Sequence, residues 1–269
     1  MNASLPKLCL QWWHIPAADD LNAKLDYAES HGYAAVEIGT GDWLLDNGEA
    51  LQKAMRGRGI AIATACGPSD FSYADPARRD AEVEKFLPQL DILGALHSAG
   101  LIVCPARATP ELPFPELRRD FVENTGRRLA ERARAAGTEI VLEPLRREET
   151  PFLRLVADGA AMARDIGPGA ACMADFWHMA REETSDEGAM LSAGPLLRHV
   201  HIASLKTRRV PGDDDGDRYI GGFRALKRMG YAGAIAFEGS FDAACDTPAA
   251  RDARLSRMAA FLREEWQRA

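Results

Sequence analysis

The chain has 269 residues, of which 46% are hydrophobic and 27% charged, and a formal net charge of −7. That size and balance suit a soluble globular protein built as a single domain over residues 1–269. The acidic balance opposes nucleic acid, which needs a basic groove, and no run approaches the roughly 18 apolar residues of a membrane span.

Taken in chain order, short apolar runs alternate with longer amphipathic segments. Lys7–Trp12 reads as a first strand, and Asp19–His31 as a helix stopped by Gly32. Ala35–Ile38 and Ile60–Ala65 are the second and third strands. Asp75 and Pro76 open a helix that runs to Ser98, with proline at a tolerated first-turn position and Gly100 beyond the end. Leu101–Cys104 is a fourth strand, followed by a helix over Leu117–Ala136 closed by Gly137. Glu139–Glu143 is a fifth, followed by a helix over Phe152–Ile166 closed by Gly167. Ala170–Asp175, His199–Ala203 and Ala234–Glu238 complete eight strands. A helix over Phe223–Met229 precedes the last strand, and one over about Thr247–Gln267, apolar at Leu255, Met258, Phe261 and Leu262, follows it. The strands are continuous apolar runs, as expected where both faces of a parallel strand are buried. Eight strand–helix repeats at this length predict a single (β/α)8 TIM barrel.

The five cysteines, at 9, 66, 104, 172 and 245, are odd in number and widely spaced, with no C-x-x-C. A disulfide framework is not expected; a reducing cytosol is, with Cys9, Cys104 and Cys172 as small buried thiols. The start, MNASLPKLCLQWWHIP, lacks the basic stretch and long apolar core of a signal peptide.

Four residues that bind hard metal ions each end or follow an apolar run: Glu143, Asp175, His201 and Glu238, separated by 32, 26 and 37 residues. No single helix face or loop gathers residues at those intervals, whereas a ring of parallel strands brings all four to its C-terminal mouth, where barrel active sites lie. Singly, each reads as a cap, a surface group or a core histidine; together they require the same coincidence in four repeats. Three carboxylates and one imidazole suit Mn²⁺, with Mg²⁺ or Co²⁺ as alternatives, better than a thiolate-rich zinc site would.

Other groups cluster nearby. Asp175 and His178 form a D-x-x-H in which one can bind metal while the other faces a ligand. Glu149 lies six residues after Glu143, with Arg146 and Arg147 between, so that Arg147 orients Glu149 or both arginines are exposed. Of Lys206, Arg208 and Arg209, one is expected to anchor a substrate oxygen and two to be solvated. Trp12, Trp13 and His14 close the first strand at the same mouth, where an aromatic ring can pack on a sugar or simply end the core. Glu37 closes the second strand and either binds substrate or orients a neighbour. The acidic run Gly212–Asp217 is the one polar insertion.

These motifs together resemble the xylose-isomerase-like barrel superfamily of sugar phosphate isomerases and epimerases, nearest to its D-tagatose and D-psicose 3-epimerases. The fifth-strand E-P-L-N-R-Y-E corresponds to Glu143-Pro144-Leu145-Arg146-Arg147-Glu148-Glu149, and D-T-x-H-M-x-x-E-E to Asp175-Phe176-Trp177-His178-Met179-Ala180-Arg181-Glu182-Glu183. The H-x-H of strand seven with its following Arg and Pro-Gly corresponds to His199, His201, Arg208, Pro211 and Gly212. ACGPSDFSYADPARRDAE is similar to the family's third-strand segment with its D-P-x-x-R. The similarity spans about strand two to strand eight.

The resemblance implies a divalent-metal-dependent isomerase that inverts a carbon next to the carbonyl of a ketose or keto-polyol through an enediolate. Glu143, Asp175, His201 and Glu238 would hold one ion. Glu143 and Glu238 would also exchange the proton from opposite faces, and Glu149, His178 and Arg208 would hold the oxygens at carbons 1 and 2. A small-molecule sugar is then the partner, and relatives suggest a dimer or tetramer. Departures lie near the mouth: Arg146 for Asn, Glu148 for Tyr, Ser204 for an acidic residue, a loop one residue longer before Pro211, and the Asp-rich run in place of G-x-G-x-I-D-F. An inosose-like dehydratase is the alternative on the same scaffold. A DNA-repair endonuclease of the superfamily would need several metals and more than the six histidines present. A non-catalytic sugar-binding barrel fits poorly with both Glu143 and Glu238. Gly221–Gly222 and Gly239–Ser240 are expected in the loops where barrels hold phosphate.

Overall fold

The computed structural model describes residues 6–107, 109–212 and 216–269. Eight parallel strands pair in chain order and close into a ring, with β1 against β8. They are β1 Leu8–Gln11, β2 Ala35–Gly39, β3 Ala61–Cys66, β4 Gly100–Val103, β5 Ile140–Leu142, β6 Ala170–Asp175, β7 Leu197–Ile202 and β8 Ile235–Phe237. Helices run between the strands, so the chain is a (β/α)8 barrel with every expected strand in place.

The helices are α1 Leu21–Ser30, α2 Asp42–Met55, α3 Pro76–Ala95, α4 Phe114–Asp120, α5 Gly126–Ala136, α6 Val156–Ile166, α7 Phe176–Glu182, α8 Asp186–Ala193, α9 Ile220–Arg228 and α10 Pro248–Arg268. Side-chain caps start several of them: Asp20 accepts from the Ala23 N–H, Asp75 from Ala77, and Thr247 from Ala250. Sequence reading left α2, α7 and α8 without elements. In α2, Gly48 resembles a breaker, yet its Cβ would stand 2.9 Å from Ile92 of α3, so glycine there permits close helix packing. The segment expected as one helix over 117–136 is two, joined by a wider π turn at Phe121–Thr125. Among the described residues no helix is long and apolar enough to cross a membrane.

Two apolar layers surround the strands. Leu10, Val36, Ile38, Val103 and Leu142 pack outward against helix residues such as Leu25, Leu51, Leu90 and Leu129. Inside the ring, Cys9, Ala35, Ala63, Ala234 and Ala236 form one small cluster and Ile102, Val141 and Met173 another. Alternate residues of a strand share a face, so the next inward positions are Gln11, Glu37, Cys104, Glu143, Asp175 and Glu238. The lumen is thus apolar at one level and strongly polar one layer higher. Register sets the height: Asp175 pairs with His201, and His201 with Ala236.

Gly94 marks a close approach of α3 to α5. A Cβ there would lie 2.1 Å from the Ala136 carbonyl oxygen of α5. Gly94→Ala is therefore expected to destabilise the fold by about 1–3 kcal/mol, the usual cost of overpacking. Urea unfolding reads this, and an unchanged midpoint would contradict the contact.

Candidate metal centre

Glu143, Asp175, His201 and Glu238 converge at the C-terminal mouth, each offering one ligand atom, and these atoms lie within 4.8 Å of one another. His201 Nδ1 is 3.6 Å from Glu143 Oε1 and 3.4 Å from Glu238 Oε2. Three of the four residues present a buried atom without a hydrogen-bond partner: Glu143 Oε1, Asp175 Oδ2 and His201 Nδ1. Buried polar atoms are normally satisfied, and a group of orphans facing one point needs a cation or water to compensate. Three carboxylates and an imidazole are a hard donor set, so these residues fit a divalent ion.

Each ligand is held from behind. Asp175 Oδ1 accepts from the Trp177 N–H at 2.8 Å, capping α7 and leaving Oδ2 for the site. Glu143 Oε2 accepts from the Cys104 thiol at 3.5 Å. His201 Nε2 lies 2.9 Å from Glu37 Oε2, which assigns the proton to Nε2 and the free lone pair to Nδ1. Arg208 Nη2 donates to Glu238 Oε2 at 2.6 Å. Carboxylate–histidine pairing of this kind fixes the ring of a metal ligand and raises its basicity.

The charges answer to these contacts. Burial pushes the Glu238 carboxyl up, but His201 and Arg208 outweigh it and hold its pKa at about 2. Burial lowers His201, while Glu37 and Glu238 together bring it well above its ordinary value. Asp175 is answered less strongly: burial raises it to about 6 against the opposing pull of His178 and His201. These are tendencies of the metal-free protein, and a bound divalent ion would favour ionised carboxylates throughout.

A cavity of about 430 Å³ opens above the four residues. His178, Glu149 and Arg208 line it, as does Trp13. His178 Nδ1 accepts from the Arg146 N–H at 3.1 Å, which leaves an unpartnered Nε2 3.3 Å from Asp175 Oδ2. Arg107, Cys66, Cys104 and Thr40 also line the cavity. Sequence reading missed Arg107, which lies four residues past the end of β4 in an irregular segment.

Several expected positions move. Trp12 is buried against Trp43, with the Lys24 ammonium over its ring, and does not line the cavity; the half-exposed Trp13 does. His14 is buried between Phe237 and Phe241, where burial holds its pKa down at about 4. Glu37 is 0% exposed, engaged by Gln11, Thr64, His199 and His201, and does not line the cavity. Arg146, and not Arg147, pairs with Glu149, at 2.8 Å; Arg147 turns out to Glu182. Lys206 and Arg209 are exposed, leaving Arg208 at the site. Gly221 and Gly222 lie within α9, where a Gly222 Cβ would meet Phe176 at 2.5 Å, so they make no loop. Of the acidic run, 213–215 lie outside the described residues, while Asp217 turns inward to accept from the Leu205 N–H.

Comparison with known proteins agrees with this geometry. The profile of the xylose isomerase-like TIM barrel family matches residues 25–265. The chain is 28% identical to the 3-dehydro-D-guloside 4-epimerase of Escherichia coli K12, over 87% of this chain and 92% of that one. It is 32% identical to the D-psicose 3-epimerase of Agrobacterium fabrum, over 70% and 67%. The crystal structure of an Escherichia coli 3-keto-D-glucoside 4-epimerase superposes with a TM-score of 0.84 at 26% identity, covering 96% of this chain and 99% of that one.

Proposed function

This chain belongs to the xylose isomerase-like TIM barrel family, and on that premise we propose that it is a metal-dependent epimerase of keto-sugars, inverting a carbon next to the carbonyl. The observation that carries the reading is the set of four ligand atoms within 4.8 Å, three of them buried and unpartnered, at the mouth of the barrel. The names of its relatives support the substrate class, a ketose or other keto-sugar. The donor set favours Mn²⁺, with Mg²⁺ or Co²⁺ as alternatives, and the cysteine usage favours a reducing cytosol.

Glu143, Asp175, His201 and Glu238 would hold the ion. When bound, it supplies a Lewis acid that draws electron density from the carbonyl and so acidifies the adjacent C–H. Glu143 follows β5 and Glu238 follows β8, three strands apart around the ring. That separation lets one carboxylate take a proton from one face of the carbon while the other returns a proton to the opposite face, which inverts the centre. Arg208 keeps Glu238 ionised and so able to act as a base. His178 presents Nε2, and Glu149 a carboxylate, to substrate hydroxyls along the cavity wall.

The test is a panel of ketoses and keto-glycosides incubated with Mn²⁺ in deuterated water. Epimerisation places solvent deuterium at the inverted carbon, and chelation of the metal stops it. Loss of water with formation of an unsaturated or deoxy product would assign the dehydratase reaction instead.

A further inference from the structure

The two carboxylates given to proton transfer are backed by unlike donors. Glu238 Oε2 takes the Arg208 guanidinium at 2.6 Å, a strong charge-assisted contact. Glu143 Oε2 has one donor among the described residues, the Cys104 thiol at 3.5 Å, and Glu143 Oε1 has none. A thiol is protonated at neutral pH and donates weakly. Both side chains are buried, and both line the cavity.

The last torsion of a glutamate is broad, so the side chain does not set the plane of its own carboxylate. A neighbour must do so. Arg208 serves Glu238. On the Glu143 side, His201 Nδ1 stands 3.6 Å from Oε1 but faces it with a lone pair, which anchors nothing in the metal-free protein. The Cys104 S–H is left as the anchor.

Cys104 is itself clamped. Its N–H donates to Ser69 Oγ at 2.9 Å, and the same hydroxyl donates to the Cys104 carbonyl at 3.3 Å. Ser69 is buried, and the Phe71 N–H holds the next residue through the Pro105 carbonyl at 3.1 Å. From the other side, the Glu143 N–H donates to the Val103 carbonyl at 3.0 Å. Backbone contacts on both sides thus fix the thiol relative to Glu143.

We propose that Cys104 is a positioning residue for Glu143: its S–H holds Oε2 and so turns Oε1 to the point where the four ligand atoms meet. The role deepens the epimerase reading and rests on it, because only there does Glu143 act as a base. Cys104 itself takes no part in proton transfer.

Three readouts test this. The first needs no activity: the infrared S–H stretch of Cys104, isolated as the difference between metal-free wild type and Cys104→Ala. It should move to higher frequency in Glu143→Ala, where the acceptor is gone, and stay in place in Glu238→Gln. The second is exchange of the substrate C–H with deuterated water at saturating Mn²⁺. With Glu143 as the sole base, in Glu238→Gln, Cys104→Ala should slow exchange about 3- to 10-fold in kcat, the worth of one hydrogen bond, and Cys104→Ser should restore part of the loss. With Glu238 as the sole base, in Glu143→Gln, the same substitution should change nothing, as a double-mutant cycle requires of a contact that acts through one partner. A packing defect would slow both backgrounds alike. The third is Mn²⁺ titration, where Cys104→Ala should weaken binding about tenfold, as loss of a partner behind a metal ligand does, even in a protein that turns over no sugar. That separates failure of the epimerase reading from failure of the positioning role. An S–H band indifferent to Glu143, equal slowing in both backgrounds, or unchanged Mn²⁺ affinity overturns the proposal.

Discussion

Glu238→Gln is expected to lose about 10²- to 10⁴-fold in kcat, the usual contribution of a positioned general base. The substitution keeps the side-chain length and one carbonyl oxygen, so Glu143, Asp175 and His201 still face the same point. It removes the negative charge that Arg208 and His201 hold ionised. Glu143→Gln should cost a similar factor. The two variants should differ in a way that simple loss of metal cannot imitate. With one base left, a sugar whose proton faces that base can still lose it, exchange it with solvent and regain it on the same side. Each variant should therefore catalyse solvent deuterium exchange into one epimer without inverting it, and the two should choose opposite epimers. Metal titration run alongside separates weakened binding from lost chemistry. A Glu238→Gln protein that binds Mn²⁺ and keeps full activity would sink the two-base scheme, as would exchange into the same epimer by both variants.

The positions of these carboxylates were legible because they close strands. Parallel strands buried on both faces read as unbroken apolar runs, so their ends are sharp, and polar residues closing four of them stand out. What the sequence could not show is which neighbour each polar residue finds across the lumen. Glu37 and His201 are 164 residues apart, and only ring closure brings them together. Trp12 and Trp13 are equivalent in composition. A short 3-10 turn at Trp12–His14 ends the strand alternation at Gln11, sending Trp12 into the core and Trp13 to the mouth. Arg146 and Arg147 part for a similar reason. The turn in which the Glu149 N–H bonds to the Arg146 carbonyl brings these two side chains together and points Arg147 outward. Helix α2 was hidden by Gly48, whose absent side chain serves a packing contact that composition alone reads as a break.

Glu37 is where the second large effect is expected. Its carboxylate is buried beneath the four ligands and accepts from Gln11 Nε2 at 2.7 Å, Thr64 Oγ1 at 2.6 Å, His199 Nε2 at 2.9 Å and His201 Nε2 at 2.9 Å. Burial alone would raise its pKa, but the charges of His201 and His199 hold it well below the usual carboxylate range. All four partners act as donors, so the position requires an acceptor with two oxygens. Glu37→Gln places an amide N–H₂ among donors. If the new amide nitrogen faces Gln11, a flip of the Gln11 amide restores the bond and only the charge beside His199 and His201 is lost. If it faces the histidines, relief requires a tautomer change, which in His201 puts a proton on Nδ1 towards Glu143, Asp175 and Glu238. That opposes a cation where the native ring offers a lone pair. Loss of such an orienting partner typically costs 10- to 100-fold in metal affinity. Breaking a buried charged network by removing one partner costs about 3–5 kcal/mol in stability. The expected result is therefore a Mn²⁺ dissociation constant about 10- to 100-fold higher, together with an earlier urea midpoint in the metal-free protein. Glu37→Asp, which keeps the charge but shortens the reach, should fall between the two. Kinetics provide the control: at saturating Mn²⁺ the glutamine variant should recover much of its kcat, because Glu37 does not line the cavity. A Glu37→Gln protein with native metal affinity and native stability would show that His201 is oriented by the strand alone.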